Sequence, residues 1–369
     1  MFGYAPKILR IDVGEQRFRW EHVDESLYRL YMGGSCLAAH VLLTELPPGI
    51  DPFSPKNLLV FSAGVVTGAP VSGSSILSVV SKSPLTGGIH EAPTPGHMGE
   101  NMKKAGYDVI ILHGRSPKPV YLLVEEKGVQ FFDALDLWGM STAEAFDAIK
   151  MKVGSDVSVC TIGIAGEKLV RYSSIVHDYM FNTSRGGLGA VMGSKLVKGM
   201  AVRGETGPVF YDSYRLDMYA KRFREHFLEN PVSRGHYEGG GHAGFIERMS
   251  SEGILSAKNA RYTGFQGAHS VDGGLWRRNT DMKTCPVPTA SEGARECIKK
   301  SFPVWSSAMA PPSWKRSVRS RSVLKSKIQS SLSKPVTSLR VMALTERPQG
   351  SWSLLRTSAR KRGFFEEMS

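Results

Sequence analysis

Residues 184–195 read Ser-Arg-Gly-Gly-Leu-Gly-Ala-Val-Met-Gly-Ser-Lys, which is the most specific pattern in the chain. Glycines let a backbone approach a ligand closely, and free N–H groups at a helix start bind phosphate. Arg185 adds a forked cation suited to phosphate. A tight turn that leads into a helix packed on small residues has the same pattern, so both interpretations remain open. The spacing differs from GxxxxGK[ST] and from GxGxxG, which excludes those two nucleotide-binding motifs.

A second turn of this kind lies upstream, in the run Ser81–Gly88, and carries Lys82. It follows an apolar strand-like segment and precedes a glycine-containing helical segment with Gly96 and Gly99. Contact with a phosphate or a pterin is chemically reasonable here, because a lysine and several backbone N–H groups come together in one turn. A purely structural turn is the alternative that these residues leave open.

The first 205 or so residues alternate short β-type runs with turn clusters. The predicted strands are Ile8–Val13, Asn57–Ser62, Ile76–Ser81, Asp108–His113, Val120–Glu125, Asp156–Ile162, Leu169–His177 and Lys198–Val202. The predicted helices are a short one capped by Asp24 and ending at Tyr31, then Gly34–Leu46, Gly96–Ala105, Thr142–Lys152 and Leu188–Val197. Because strands often follow strands directly, we expect an α+β fold with a β-rich N-terminal domain of largely antiparallel sheets. The amphipathic run Ser213–Leu228, followed by Ala243–Ser251, predicts the start of a helical domain.

Charge divides the chain unevenly. Of its 47 Lys and Arg residues, 15 lie in residues 299–369 beside only 3 Glu, a net charge of +12. The first 298 residues carry 32 basic and 31 acidic residues, a net charge of +1. We therefore predict three regions: a domain over residues 1–208, the start of a helical domain over 209–298, and a basic, serine-rich, disordered tail over 299–369.

Cysteine usage and hydropathy exclude two broad classes. Four cysteines in 369 residues are too few for a disulfide scaffold, and the N-terminus has no apolar signal segment, so we expect a cytoplasmic protein. No run approaches the roughly 18 apolar residues of a membrane span. Cys36 and Cys160 lie in apolar runs and are interpreted as core residues. The pair Cys285 and Cys297 is by itself a weak signal for a metal site.

Eight short segments follow one another in fixed order across about residues 1–205. They are MGGSCLAA (32–39), ELPPGIDP (45–52), NLLVFSAGVVTG (57–68), KSPLTG (82–87), AGYD (105–108), DLWG (136–139), GIAGE (163–167) and SRGGLGAVMGSK (184–195). Their order and spacing resemble the aldehyde ferredoxin oxidoreductase family of tungsten or molybdenum bis-pterin enzymes. The segment SGSSILSV (72–79) is most similar to the aromatic acyl-CoA reductase branch of that family.

The resemblance implies a β-rich base that carries two pyranopterins with tungsten or molybdenum between them. It implies oxidation of an aldehyde to a carboxylic acid, with electrons passed through a [4Fe–4S] cluster to ferredoxin or a ferredoxin-like subunit. A small aldehyde or an acyl-CoA-type compound would be the substrate, and the assembly a homodimer. The implied pterin contacts are Lys82, Gly96, Gly99, Arg185, Gly186 and Gly187. No residue is identified as a catalytic acid or base.

The chain also departs from the family pattern. Cys285 stands where the first cysteine of the family's C-x2-C-x3-C cluster group belongs, but Pro288 and Glu292 occupy the next two ligand positions. Near the pterin positions, Ile76, Pro93 and Pro95 replace arginine, polar or glycine residues. We therefore expect a truncated, inactive fragment whose residues after about 285 are read out of frame. The alternatives are a non-catalytic remnant or binding subunit, and a basic-tailed protein that binds RNA or an acidic partner.

Overall fold

The structure is a computed structural model. It describes residues 2–273 except 6, 72, 180, 239 and 240, together with the backbone of 282–284 and 296–298. The chain divides at Leu216 into two compact units, which are described separately.

Two six-stranded sheets form the first unit. Sheet one has the order β2-β1-β6-β3-β4-β5 and sheet two the order β11-β10-β9-β12-β7-β8. The strands of sheet one are β1 (Lys7–Asp12), β2 (Arg17–His22), β3 (Leu59–Ala63), β4 (Ile76–Lys82), β5 (Ile89–Pro95) and β6 (Val109–His113). Those of sheet two are β7 (Val120–Glu125), β8 (Gly128–Asp133), β9 (Ser158–Ile162), β10 (Ile175–His177), β11 (Phe181–Asn182) and β12 (Val197–Val202).

Antiparallel pairing dominates both sheets. In sheet one only β1 and β6 are parallel, and in sheet two only β12 and β7. The predicted α+β class with largely antiparallel sheets is therefore confirmed. The central strands are buried along their whole length, which explains why they read as continuous apolar runs and not as alternating patterns.

Helices pack against both sheets. The helices of the first unit are α1 (Glu25–Tyr31), α2 (Gly34–Glu45), α3 (Met98–Lys104), α4 (Thr142–Val153), α5 (Ile164–Glu167) and α6 (Leu188–Ser194). One core cluster contains side chains of both sheets and of α3 and α6. A second cluster packs α1 and α2 on sheet one, and a third packs α4 on sheet two. As predicted, Asp24 caps α1, because its carboxylate accepts from the Ser26 N–H.

Lys195 anchors two loops, one before β3 and one after β6. Its side chain is 1% exposed, and its ammonium donates to the carbonyl of Asn57 at 2.5 Å, with the carbonyls of Pro55 and Gly114 at 3.3 and 3.4 Å. Burial lowers the pKa of this lysine to about 7. The last residue of the 184–195 stretch is thus a structural anchor.

This burial predicts a pH-dependent stability. Between pH 7 and 10.5 the unfolded chain keeps a proton on Lys195 that the folded chain has released, so the free energy of unfolding should rise with pH. The slope contributed by one such group approaches about 1.4 kcal/mol per pH unit. Urea unfolding at pH 7 and 9 should show this increase in the wild type and not in Lys195→Met. An equal increase in the wild type and in Lys195→Met would contradict this prediction. The control is Lys127→Met, an exposed lysine, which should keep the wild-type increase.

The described part of the second unit is mainly helical. It contains most of α7 (Ser213–Glu229), then α8 (Pro231–Glu238) and α9 (Ile246–Ser251), with short 3-10 turns at Gly241–Phe245 and Ala268–Val271. The predicted helix over Ser213–Leu228 is confirmed. A short antiparallel pair, β13 (Met282–Thr284) with β14 (Glu296–Ile298), follows. The predicted tail over residues 299–369 lies outside the described residues.

Candidate functional site

The structure brings the two glycine-containing turns together. Ser83 Oγ donates to the Gly186 carbonyl at 2.7 Å in a buried hydrogen bond between residues 103 positions apart. The same oxygen accepts from the N–H groups of Leu85 and Thr86, each at 3.1 Å, and so shapes its own turn. Lys82 and Arg185 immediately precede the two bonded residues. The turns that the sequence singled out separately are thus one structural feature, here called the joined turns (residues 82–88 and 184–187).

Gly186 and Gly187 are required by backbone conformation and by packing. Their φ angles are +92° and +74°, in the region that favours glycine. A Cβ on Gly186 would overlap the ring of His90, and one on Gly187 would overlap the carbonyl of Arg171. The α-carbons therefore face protein atoms, and any ligand would meet this turn through its side chains and polar backbone groups.

Arg185 and Lys82 give the joined turns their charge. Arg185 is exposed and Lys82 half-buried, and neither side chain has a hydrogen bond or ion pair with another residue in the described ranges. The neighbouring His90 forms a hydrogen bond with the Arg185 backbone, but burial lowers the pKa of His90, and the Arg185 charge acts in the same direction. Two cations without ion-pair partners in the described ranges, on two turns joined by a buried hydrogen bond, suit an anionic group such as a phosphate.

Gly96 and Gly99 lie at the other end of β5. Because β5 separates Gly96 from the Ser83 turn by seven residues, the two are roughly 20 Å apart along the strand. Gly96 has a φ of +136°, and a Cβ there would lie 2.6 Å from the Phe181 ring and 2.9 Å from His177. Gly99 is buried in α3, where a Cβ would lie 3.2 Å from the Thr67 methyl group. The predicted contacts therefore form two groups, one at each end of β5.

A polar cluster beside Gly96 was missed by the sequence. From their adjacent positions on a strand, His177 and Asp178 are expected to point in different directions, and this expectation is wrong. β10 ends at His177, and Asp178 has a φ of +48°, so the carboxylate turns back to 3.6 Å from His177 Nδ1. Thr94 Oγ1 lies 2.6 Å from His177 Nε2. The signal available was a His-Asp pair at the end of an apolar strand.

Two other segments of the family pattern meet in a buried ion pair. The Lys198 ammonium bonds the Glu167 carboxylate and donates to the Met140 carbonyl at 2.8 Å. Both Glu167 oxygens accept from the Gly139 N–H, at 3.0 and 2.9 Å. The DLWG and GIAGE segments are thus held together by hydrogen bonds to a buried ion pair, which is a structural role.

The cysteines divide between the core and the surface. Cys160 is buried as predicted, and burial raises the pKa of its thiol to about 12. Cys36 is exposed, so its prediction as a core residue is wrong; α2 turns Leu37, Ala38 and Val41 toward the sheet instead. Cys285, the predicted cluster ligand, lies outside the described residues. Within those residues no group of three or more His, Cys, Asp or Glu side chains is arranged to hold a metal ion.

No helix in the described part of the chain combines the length and the apolar character that crossing a membrane requires.

Sequence comparison identifies one family. The sequence model of the aldehyde ferredoxin oxidoreductase N-terminal domain matches residues 8–204. The chain is 32% identical over 293 residues to the tungsten-containing aldehyde ferredoxin oxidoreductase of Pyrococcus furiosus, which covers 78% of this chain and 48% of the relative. It is also 29% identical over 272 residues to the WOR-like subunit of an aliphatic sulfonate oxidoreductase from the same organism, covering 69% of this chain and 43% of that subunit. The chain thus spans about half the length of the curated relatives it matches.

A solved structure has a similar fold. The active-site complex BamBC of benzoyl-coenzyme A reductase, in complex with 1,5-dienoyl-CoA, superposes with a TM-score of 0.70 at 26% identity. The similarity covers 82% of this chain and 48% of that one. This likeness is consistent with the similarity of residues 72–79 to the aromatic acyl-CoA reductase branch.

Proposed function

Because the chain belongs to the aldehyde ferredoxin oxidoreductase family, we propose that residues 1–208 form the base that binds a tungsten or molybdenum bis-pyranopterin. The observation that supports this most directly is the buried hydrogen bond from Ser83 to Gly186, since it joins the turn that carries Lys82 to the turn that carries Arg185. When bound, the metal pterin supplies two-electron redox chemistry to the site. The residues of this chain bind it, orient it and neutralise its phosphate.

The residues of the joined turns fit a phosphate-bearing group. The Arg185 guanidinium is exposed and has no ion-pair partner in the described part of the chain, so binding an anion breaks no existing bond. Its turn is already fixed by Ser83 and by packing against His90, which lowers the entropy cost of binding. Gly96 and Gly99 are proposed as a second contact.

The proposed reaction is that of the family. The substrate would be a small aldehyde, oxidised to a carboxylic acid, or an acyl-CoA-type compound, as the fold of the benzoyl-CoA reductase complex suggests. Electrons would pass through a [4Fe–4S] cluster to ferredoxin or a ferredoxin-like subunit in the cytoplasm, and a homodimer is the proposed assembly. Cys285 would be one cluster ligand.

A binding role without turnover is the second candidate. Pro288 and Glu292 stand where the family pattern has two further cysteine ligands, and a [4Fe–4S] cluster needs about four thiolates. We therefore propose that this chain by itself binds the pterin and does not complete the electron path. Iron content separates the two candidates.

Replacing Arg185 tests the proposed site. Arg185→Ala removes charge-assisted hydrogen bonds worth about 1.5–3 kcal/mol each, so tungsten and pterin retained per chain after gel filtration should fall at least about tenfold. The free energy of unfolding should change by no more than about 0.5 kcal/mol, since the side chain is exposed. The matched control is Arg19→Ala on β2, which should retain the wild-type amount. Wild-type retention in Arg185→Ala would show that the joined turns do not bind the cofactor.

A further inference from the structure

A buried polar chain joins the two sheets beside Gly96. It runs from Thr94 of β5 through His177 of β10 to Asp178, with separations of 2.6 and 3.6 Å. Thr94 is fully buried and His177 is 2% exposed. The Thr94 hydroxyl is within hydrogen-bond distance of His177 Nε2, whereas Nδ1 faces the Asp178 carboxylate at 3.6 Å, beyond hydrogen-bond distance. This order of groups is that of a nucleophilic triad, but a fully buried hydroxyl cannot reach a substrate. The chain of residues therefore has a positioning role.

Asp178 is the centre of this cluster. Both of its oxygens accept from Ser158 Oγ, at 2.7 and 2.8 Å, and Oδ2 also accepts from the His97 N–H at 3.1 Å. Burial would raise the pKa of Asp178, but its contacts with His177, Ser158 and the nearby His97 outweigh burial and hold the pKa below its ordinary value. The carboxylate is ionised at neutral pH, and each of these hydrogen bonds is charge-assisted.

The His97 bond fixes the start of α3 from the opposite sheet. α3 begins without a capping side chain of its own, so the His97 N–H needs an external acceptor. Asp178 supplies it, and it does so from a strained turn: Asp178 and Tyr179 have φ values of +48° and +63°. Packing of Tyr179 on Phe146, with ring centroids 4.0 Å apart, and its hydrogen bond to Asp147 hold that turn in place.

We infer that His177 and Asp178 are positioning residues that clamp residues 96–98 to the second sheet and hold Gly96 where the cofactor requires it. Only the placement of Gly96 for the cofactor rests on the proposed function. The clamp itself follows from the Thr94, His97 and Ser158 contacts, and from the fit of the His177 ring against Gly96, where a Cβ would lie at 2.9 Å.

The clamp is tested without cofactor by hydrogen exchange of the full chain. His177→Gln and Asp178→Asn should each accelerate exchange of the His97 amide at least about tenfold. In Asp178→Asn the His97 N–H loses its charged acceptor, and in His177→Gln that acceptor loses the side chain that positions it. The matched control is His113→Gln on β6, since His113 Nδ1 also lies 3.6 Å from a carboxylate, that of Asp12. This control should leave the His97 amide unchanged. Unchanged exchange in both test variants overturns the inference.

The link to the cofactor is tested by retention of tungsten and pterin. Outer positioning residues of metal sites commonly change affinity 10–100-fold, so both test variants should lose at least about tenfold relative to His113→Gln. If the His97 amide exchanges faster but tungsten and pterin are retained at the wild-type level, the clamp does not serve the cofactor. That result would overturn the proposed link between the clamp and the cofactor. If the wild-type chain retains no tungsten, molybdenum or pterin, the proposed function fails. The exchange result then still decides the clamp.

Discussion

Gly186→Ala should be among the most destabilising single substitutions in the first unit, with a loss of about 4 kcal/mol or more in the free energy of unfolding. A Cβ at this position would overlap the His90 ring, and the φ of +92° strains any other residue. The overlap involves the His90 side chain, so truncating that side chain should remove the part of the destabilisation that comes from the overlap. In the background of His90→Ala, Gly186→Ala should therefore cost at least about 1.5 kcal/mol less.

Gly187→Ala is the matched control for this cycle. The atom that a Cβ would meet there is the Arg171 carbonyl oxygen, which belongs to the backbone and cannot be truncated. We expect a loss of similar size that His90→Ala does not relieve. Urea unfolding of the three single and two double variants measures both couplings. Purely additive costs for Gly186→Ala and His90→Ala would contradict the described packing of the Arg185 turn on His90.

Lys198→Met should lower the free energy of unfolding by about 3–5 kcal/mol, because it leaves the Glu167 charge buried without a cation. Lys198 is fully buried and Glu167 nearly so, and both also hold backbone groups of the 139–140 turn. Burial lowers the pKa of Lys198, but the bond to Glu167 opposes that effect. Replacing both residues, as Lys198→Met with Glu167→Leu, should cost less than the sum of the single changes.

An exposed pair provides the control. The Lys152 ammonium and the Asp136 carboxylate are 2.7 Å apart, and their side chains are 43% and 60% exposed. Lys152→Met should therefore lower the free energy of unfolding by less than about 1 kcal/mol. Chemical denaturation followed by circular dichroism gives both values. Equal losses for Lys198→Met and Lys152→Met would contradict a structural role for the buried pair.

The sequence predicted most of the strands that are continuous apolar runs, and it missed β2, β5, β8 and β11. Continuous runs such as Val120–Glu125 identify buried strands, and β7 has those bounds. β2 was missed because Arg17–His22 is mostly charged and exposed, and β5 because it contains Pro93 and Pro95. Prolines are tolerated there because β5 is the edge strand of its sheet.

Long-range contacts account for the other differences. The predicted strand Leu169–His177 is wrong before Ile175, where the chain instead turns after α5 with Leu169 at a φ of +57°. The sequence identified both joined turns, because glycine and cation spacing is a local signal. It could not show that Ser83 bonds Gly186, or that Asp178 caps α3, since both contacts join distant residues.

Metal and pterin analysis of the purified 369-residue chain, produced in a host that makes the tungsten pterin, decides whether this protein binds the cofactor. We expect tungsten or molybdenum bound together with pterin, and iron below the four atoms of a complete cluster, because Pro288 and Glu292 occupy two ligand positions of the family pattern. A folded, monodisperse chain that contains neither metal nor pterin would contradict the assignment of residues 1–208 as a cofactor-binding base.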